Sequence, residues 1–179
     1  STYLLEMIIR YVGCFKFRSE TRWDLFYGFL GGWRLSEEEF MKNVKFVNEL
    51  KLRLSYGVVG NQSGISRYDG MQLYNFNSVN GAYIGDGRIS YIKTSGEIAT
   101  MGRSWERIHN YNLGLDFHLF DSRLQGTVEL FMKKNNNMLI AVAYPGILGD
   151  KAPASNSGKF EAKGYEGTVT WSDKIGKVN

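Results

Sequence analysis

Cysteine, histidine and proline are scarce in this chain, and each scarcity narrows the possible structure or chemistry. Cys14 is the single cysteine, so no internal disulfide framework can form, and we expect its thiol to be a small packing group. His109 and His118 lack cysteine or acidic partners at metal-ligand spacing, so the sequence predicts no metal site. With 2 prolines, 21 glycines and 15% aromatic residues, the composition favours long antiparallel strands, whose interiors exclude proline.

Long apolar runs and blocks of one charge are also missing. No stretch reaches the roughly 18 apolar residues of a transmembrane helix, and residues 1–6 do not resemble a signal peptide. The net charge of +4 comes from 22 basic residues interleaved with 18 acidic ones, a pattern that predicts no nucleic-acid partner. No nucleophile, base and orienting group form a recognisable set, so we predict no catalytic residues, no enzyme and no cofactor.

The clearest pattern in the chain is the strict alternation over residues 50–58. One face would carry Leu50, Leu52, Leu54, Tyr56 and Val58, and the other Lys51, Arg53, Ser55 and Gly57. A period of two predicts a β-strand between an apolar and a polar medium. The apolar medium is a protein core in a soluble sandwich, and lipid in an outer-membrane barrel.

Similar patterns predict further strands, and the links between them differ in length. The predicted strands are residues 3–11, 25–35, 113–119, 124–133 and 165–171. Ser36 and Glu39 predict a short capped helix after the second strand. The links after residues 11, 58 and 133 are long, and those after 119 and 171 are short, with residues 60–104 forming the longest loop. Such alternation is typical of outer-membrane barrels, which have long outer loops and short periplasmic turns.

The sequence therefore predicts an all-β segment of antiparallel strands from a transmembrane β-barrel. About six strands fit, which is fewer than the roughly eight of the smallest membrane barrels. We expect residues 1–179 to be one partial barrel domain of a larger protein.

Several motifs support this interpretation by their similarity to a known family. They lie in family order at residues 32–41, 50–62, 105–106, 112–116 and 164–171, including Leu50-Lys51-Leu52-Arg53-Leu54-Ser55-Tyr56-Gly57 and Asn112-Leu113-Gly114-Leu115-Asp116. The sequence resembles the barrel of SusC/RagA-type TonB-dependent outer-membrane transporters of Bacteroidetes. The resemblance implies a 22-stranded barrel in the outer membrane of a Gram-negative cell, with a plug domain that is absent here, as are the carboxy-terminal strands. It also implies a SusD-like surface lipoprotein and TonB as partners, outer-membrane lipid around the barrel, and an oligosaccharide or peptide as cargo.

Two groups of residues are candidates for contacts along the transport route. The predicted lumen-facing residues are Lys51, Arg53, Asp116, His118, Glu129 and Glu166. We expect them to hydrogen-bond mainly with water or the plug, with substrate contact as the alternative. The predicted outer-loop aromatics are Tyr68, Tyr74, Tyr83 and Trp105. Flat aromatic rings pack well against sugars, and the alternative roles are loop packing and contact with the lipoprotein.

Two alternatives to an importer remain open at this point. One is a soluble β-rich carbohydrate-binding module, in which the apolar strand faces pack against each other. The other is a passive porin or an outer-membrane enzyme, which would keep the barrel but lose the plug and the energy coupling. The environment of the leucines at 50, 52, 54, 113, 115 and 119 separates the first alternative from the importer.

Overall fold

Six long strands form a single antiparallel sheet in which each long strand pairs with the next. The computed structural model describes residues 2–68, 71–77, 83–94, 102–143, 145, 147 and 154–173. The strands are β1 (Tyr3–Gly13), β2 (Trp23–Arg34), β3 (Val47–Asn61), β4 (Tyr74–Asn77), β5 (Tyr83–Ile84), β6 (Gly87–Arg88), β7 (Tyr91–Thr94), β8 (Glu106–Leu119), β9 (Leu124–Ile140) and β10 (Ser155–Trp171). The sheet order is β1-β2-β3-β8-β9-β10. This arrangement confirms the predicted all-β antiparallel fold.

The connections lie at two opposite ends of the sheet. We call the end with links 14–22, 62–105 and 141–154 the loop end, and the end with links 35–46 and 120–123 the turn end. Link 35–46 has more residues than link 14–22, yet two 3-10 turns, Leu35–Glu37 and Glu39–Met41, keep it compact. The helical turns in the described part of the chain are too short or too polar to cross a membrane.

The prediction of a short helix capped by Ser36 is wrong, because two 3-10 turns form there and Ser36 does not cap them. Arg34 is the residue before the first turn, and no side chain caps either turn. Glu38 instead accepts hydrogen bonds from the strands: Trp33 Nε1 lies 2.8 Å and the Tyr3 hydroxyl 3.0 Å from its Oε1. The acidic run therefore connects the turn to β1 and β2, where the sequence pattern predicted a helix start.

Strands β9 and β10 extend far into the predicted connection 135–159. Each has 17 residues, and residues 135–140 and 155–159 belong to their ladder. Asparagines at 135–137 offer no apolar alternation, but backbone hydrogen bonds between strands do not depend on the side chains. A register shift at Gly158 and a positive φ of 60° at Asn137 accompany this extension.

Link 120–123 forms the predicted hairpin turn. The long link 62–105 differs from its prediction as a loop because it contains short strands. Residues 120–122 all have positive φ, between 54° and 62°, and Arg123 N donates to Phe120 O across 3.1 Å. Consecutive left-handed residues match the right-handed twist of the flanking strands, as in other tight hairpins. The long loop 62–105 has secondary structure of its own, because β4 pairs with β7 and β5 with β6.

The alternation and the register divide the sheet into two chemically different faces. The apolar face carries Leu5, Met7, Ile9, Phe29, Leu52, Leu54, Leu113, Leu115, Val128, Leu130, Tyr165 and Val169. The polar face carries Lys51, Arg53, Ser55, Asn112, Asp116, Thr127, Glu129, Glu166 and Thr168. Leu5 is 87% and Tyr165 84% exposed, so the described chain does not cover its own apolar face.

A small buried cluster lies at the loop end. Its members are Cys14, Phe17, Phe26, Val58, Ile65 and Trp105. It forms where β2 and β3 stop pairing, beyond Gly28 and Gly57. Cys14 is a buried packing residue, as expected, and its thiol is hydrogen-bonded to the side chain of Gln62.

Candidate functional site

The centre of the polar face is a charged network around Arg53. Its Nε donates to Asp116 Oδ2 across 2.7 Å and its Nη2 to Asp116 Oδ1 across 3.0 Å. The same Nη2 reaches Glu129 Oε1 at 2.6 Å. One guanidinium thus joins three strands, β3, β8 and β9, through charge-assisted bonds that are stronger than neutral ones.

Gly114 explains how Arg53 reaches across β8 to Glu129. Gly114 pairs with Arg53 on one side and with Glu129 on the other. A Cβ at this position would lie 2.9 Å from Arg53 Nη2. Because glycine has no side chain, the guanidinium can lie directly over the backbone of β8.

Two neutral side chains complete the network. Thr127 Oγ1 donates to Asp116 Oδ1 across 3.0 Å, and Asn112 Nδ2 donates to Glu129 Oε2 across 3.1 Å. The side chains of Arg53, Asp116 and Glu129 keep 29%, 26% and 20% of their surface exposed. The network therefore presents a partly exposed surface with one guanidinium and two carboxylates, which is suited to holding polar groups.

The other predicted lumen residues lie on the same face but outside this network. Lys51 pairs in register with Asp116. His118 lies towards the turn end, with its Nδ1 3.6 Å from Glu49 Oε2. Glu166 is exposed on β10 and pairs in register with Glu129. Asn112, Gly114 and Thr127 were not among the predicted site residues. Alternation places them on the polar face, but their roles depend on the register between strands.

The four predicted loop aromatics differ in the exposure of their side chains. Tyr68 and Tyr74 are exposed by 53% and 64%. Tyr83 begins β5, and its side chain lies outside the described residues. Trp105 is only 6% exposed, and its Nε1 donates to Arg22 O across 3.1 Å. Its ring contacts Phe17 and Phe26, at centroid distances of 5.0 and 5.3 Å.

Polar contacts also tie the first loop to the start of β8. Arg107 forms an ion pair with Asp24, whose Oδ2 lies 2.9 Å from Arg107 Nε, and Thr21 Oγ1 donates to Arg103 O across 3.0 Å. Together with Trp105, these contacts fix links 14–22 and 62–105 to each other at the loop end. Within the described ranges, no three histidine, cysteine, aspartate or glutamate residues are grouped to hold a metal ion.

Comparisons with known proteins agree on one family. The family model described as "TonB dependent receptor-like, beta-barrel" matches residues 13–178. TonB-dependent receptor P39 of Formosa agariphila is 33% identical over 176 residues, which are 94% of this chain and 16% of that protein. TonB-dependent receptor SusC of Bacteroides thetaiotaomicron is 31% identical over 170 residues, which are 93% of this chain and 17% of that protein.

Solved structures show the same similarity in three dimensions. The RagAB peptide importer in its closed-closed state superposes with a TM-score of 0.82 and 26% identity, covering 98% of this chain and 18% of that chain. Its open-open state gives a TM-score of 0.83 with the same identity and coverage. The chain spans about a sixth of the length of the curated relatives it matches, since it covers 16% and 17% of them.

Proposed function

The chain belongs to the TonB-dependent receptor β-barrel family, and from this membership we propose that it forms part of the barrel of an outer-membrane nutrient importer. One observation carries the proposal: a continuous face of exposed leucine, tyrosine and valine side chains backs onto a face of charged, hydrogen-bonded ones. Outer-membrane barrels need this arrangement, with lipid on the apolar side and a wet lumen on the polar side.

The exposed apolar face also argues against the soluble binding module. Contiguous apolar patches on soluble monomers rarely exceed a few hundred Å². Here the outward-facing apolar side chains are found on all six long strands. Leu54 is 62%, Leu130 51% and Val169 66% exposed. A soluble module would need a second layer against this whole surface.

We assign the loop end to the cell exterior and the turn end to the periplasm. The long link 62–105 and the tied links around it lie at the loop end, whereas a tight four-residue turn at 120–123 joins β8 to β9 at the other end. Barrels of this class have short periplasmic turns and longer extracellular loops. In this orientation Tyr68, Tyr74 and Tyr83 belong to the extracellular loops.

In this proposal the predicted site residues have distinct roles. Tyr68, Tyr74 and Tyr83 contact the cargo or a SusD-like lipoprotein, and Trp105 anchors the base of the loops. Lys51, Arg53, Asp116, His118, Glu129 and Glu166 line the lumen, where the Arg53 network braces the barrel wall. Import is coupled to TonB through a plug domain elsewhere in the receptor.

The cargo is an oligosaccharide or a peptide. SusC is a relative by sequence, and the RagAB structures are those of a peptide importer. The two loop tyrosines with described side chains, Tyr68 and Tyr74, are exposed and suit either an apolar sugar face or a peptide backbone.

Native mass spectrometry of the parent protein, extracted in mild detergent, tests the proposal first. We expect a chain about six times as long as this one, the ratio that 17% coverage of SusC implies. An equimolar lipoprotein should accompany it. A parent of this chain's own size that stays soluble without detergent would contradict the importer and support the binding module.

Labelling from the lipid phase provides a second, independent test. A lipid-soluble photoreactive probe should label the leucines of the apolar face in the inserted receptor and spare Arg53 and Glu129. Exclusion of the probe from positions 52, 54, 113 and 130 would place this face in a protein interior.

A further inference from the structure

Three lysines on the apolar face stand out because they are confined to one end of it. In strands β3, β8, β9 and β10, the lysines of this face are Lys134, Lys159 and Lys163, and all three lie towards the loop end. The register rows run from Leu113–Leu130–Tyr165, through Tyr111–Met132–Lys163, to His109–Lys134–Glu161. Over two rows the face therefore changes from apolar residues to a row that holds the first lysine, and then to a row that holds a lysine and a glutamate.

Among the described residues, the carboxylate of Glu161 is the one that forms ion pairs with the lysines of this patch. Lys134 Nζ lies 3.4 Å from Glu161 Oε2, and Lys163 Nζ lies 2.6 Å from Glu161 Oε1, so two lysines share one carboxylate. Lys159 is exposed in the next row. Arg107, at the same level, is paired with Asp24. The patch consequently keeps an excess of positive charge on a surface that faces outwards.

A shallow apolar groove leads up to one of these lysines, Lys163. It has a volume of about 380 Å³ and lies across β3, β8 and β9, with Leu54, Tyr56, Leu113, Leu130 and Met132 among its lining residues and Lys163 at its rim. The side chains of Lys163 and Lys134 are 66% and 40% exposed, and Lys134 lies one register row beyond Lys163 towards the loop end.

We infer that this groove and its lysine rim bind a membrane lipid whose phosphorylated headgroup has a net negative charge, in the leaflet that meets the loop end. An acyl chain lies along the leucines, and the headgroup phosphate bonds to Lys134 and Lys163. Basic residues beside a membrane surface attract anionic lipids, and lysine is a common phosphate ligand. The inference rests on the proposed function, because it requires the apolar face to meet lipid.

Lipid retention by the full-length receptor in detergent tests the inference. The receptor is incubated with phosphatidylglycerol or with phosphatidylcholine of identical chains, and bound lipid is counted by native mass spectrometry. We expect the unaltered receptor to retain phosphatidylglycerol preferentially. Lys134→Ala/Lys163→Ala should weaken that retention about thirtyfold, the effect of losing two residues worth about 1 kcal/mol each.

Lys133→Ala is the matched control. Lys133 adjoins Lys134 in β9 but belongs to the polar face, where it pairs with Ala162. Its loss should leave retention unchanged, and Lys134→Arg/Lys163→Arg should preserve it. Equal effects of Lys133→Ala and the double alanine variant would overturn the inference.

Two further results would overturn it without any variant. One is equal retention of the two lipids by the unaltered receptor, and the other is complete displacement of phosphatidylglycerol by an equal concentration of inorganic phosphate, which would indicate a simple anion site. Failure of the proposed function has a different signature, because the parent protein would then be soluble and bind neither lipid. A receptor that inserts normally but shows no preference fails the lipid site alone.

Discussion

At the scale of single residues, glycines decide where the long side chains of this sheet can lie. Gly114 lies beneath the Arg53 guanidinium, and Gly60 lies beneath the Phe26 ring, with a Cβ at Gly60 falling 2.3 Å from Phe26 Cζ. Both glycines are in β-strands, where glycine is otherwise unfavourable. Close approach of a neighbouring side chain is the physical reason for glycine at these two positions.

Gly114→Val should destabilise the receptor by about 1–3 kcal/mol, the usual cost of overpacking. The valine would push Arg53 Nη2 away from Glu129 and break a charge-assisted bond. Urea unfolding of the full receptor in detergent measures the effect. Gly57→Ala is the control, because the Cβ of an alanine at this position would lie 4.0 Å from Gly28 Cα, in ordinary van der Waals contact. Equal stability of the two variants would show that Gly114 is not needed for the network.

Gly60→Ala should loosen the buried cluster at the loop end. The new methyl group would collide with Phe26, which is 7% exposed and has little room to move. We expect a cost of about 1–3 kcal/mol, seen as faster proteolysis of link 14–22. Adding Phe26→Leu should recover part of the loss. No recovery in the double variant would mean that the strain does not arise from this contact.

At the scale of elements, the Arg53 network holds β3, β8 and β9 in register. Arg53→Met leaves two carboxylates without their cation, whereas Glu129→Gln leaves Arg53 paired with Asp116. We expect Arg53→Met to cost more, about 1–3 kcal/mol, and the double variant to cost less than the sum. A double-mutant cycle from urea unfolding measures this coupling. Strict additivity would show that the two side chains do not interact.

A new charge should destabilise the receptor much more on the apolar face of β3 than on its polar face. Leu54, at the middle of β3, is on the apolar face, and Ser55 follows it on the polar face. Leu54→Lys should cost about 2–4 kcal/mol, as expected for a lysine at the bilayer midplane. Ser55→Lys should cost much less. Folding yield into detergent and then urea unfolding compare the pair, and equal costs would argue against a lipid-facing Leu54.

At the scale of the whole molecule, the two outer strands have unused backbone hydrogen-bonding groups. In the described sheet β1 pairs only with β2, and β10 only with β9. An unpaired backbone group costs several kcal/mol in lipid, so membrane sheets are closed. Residues 1–179 produced alone should therefore fail to insert as a stable barrel, whereas the full receptor should show heat-modifiable mobility on SDS gels. Insertion of the isolated segment as a heat-modifiable species would contradict a closed parent barrel.

The sequence by itself determined the central parts of the six long strands, their two faces and the family. Alternation within a strand is local information, since adjacent side chains must point to opposite sides. It was enough to place Arg53, Asp116 and Glu129 on the polar face and Leu52 and Leu113 on the apolar one. The motifs at residues 50–62 and 112–116 were enough to identify the family that the comparisons then confirmed.

Only the tertiary structure decided which of these residues meet. Arg53 reaches Glu129 because the pairing of three strands aligns both with Gly114, and register is a relation between segments distant in sequence. Trp105 is buried because β2 and β3 separate beside it. β9 continues through three asparagines because its backbone pairs with β10 and because the side chains of Glu106 and Asn156 bond to it. Periodicity within one strand specifies the direction of a side chain, whereas its partners depend on the neighbouring strands.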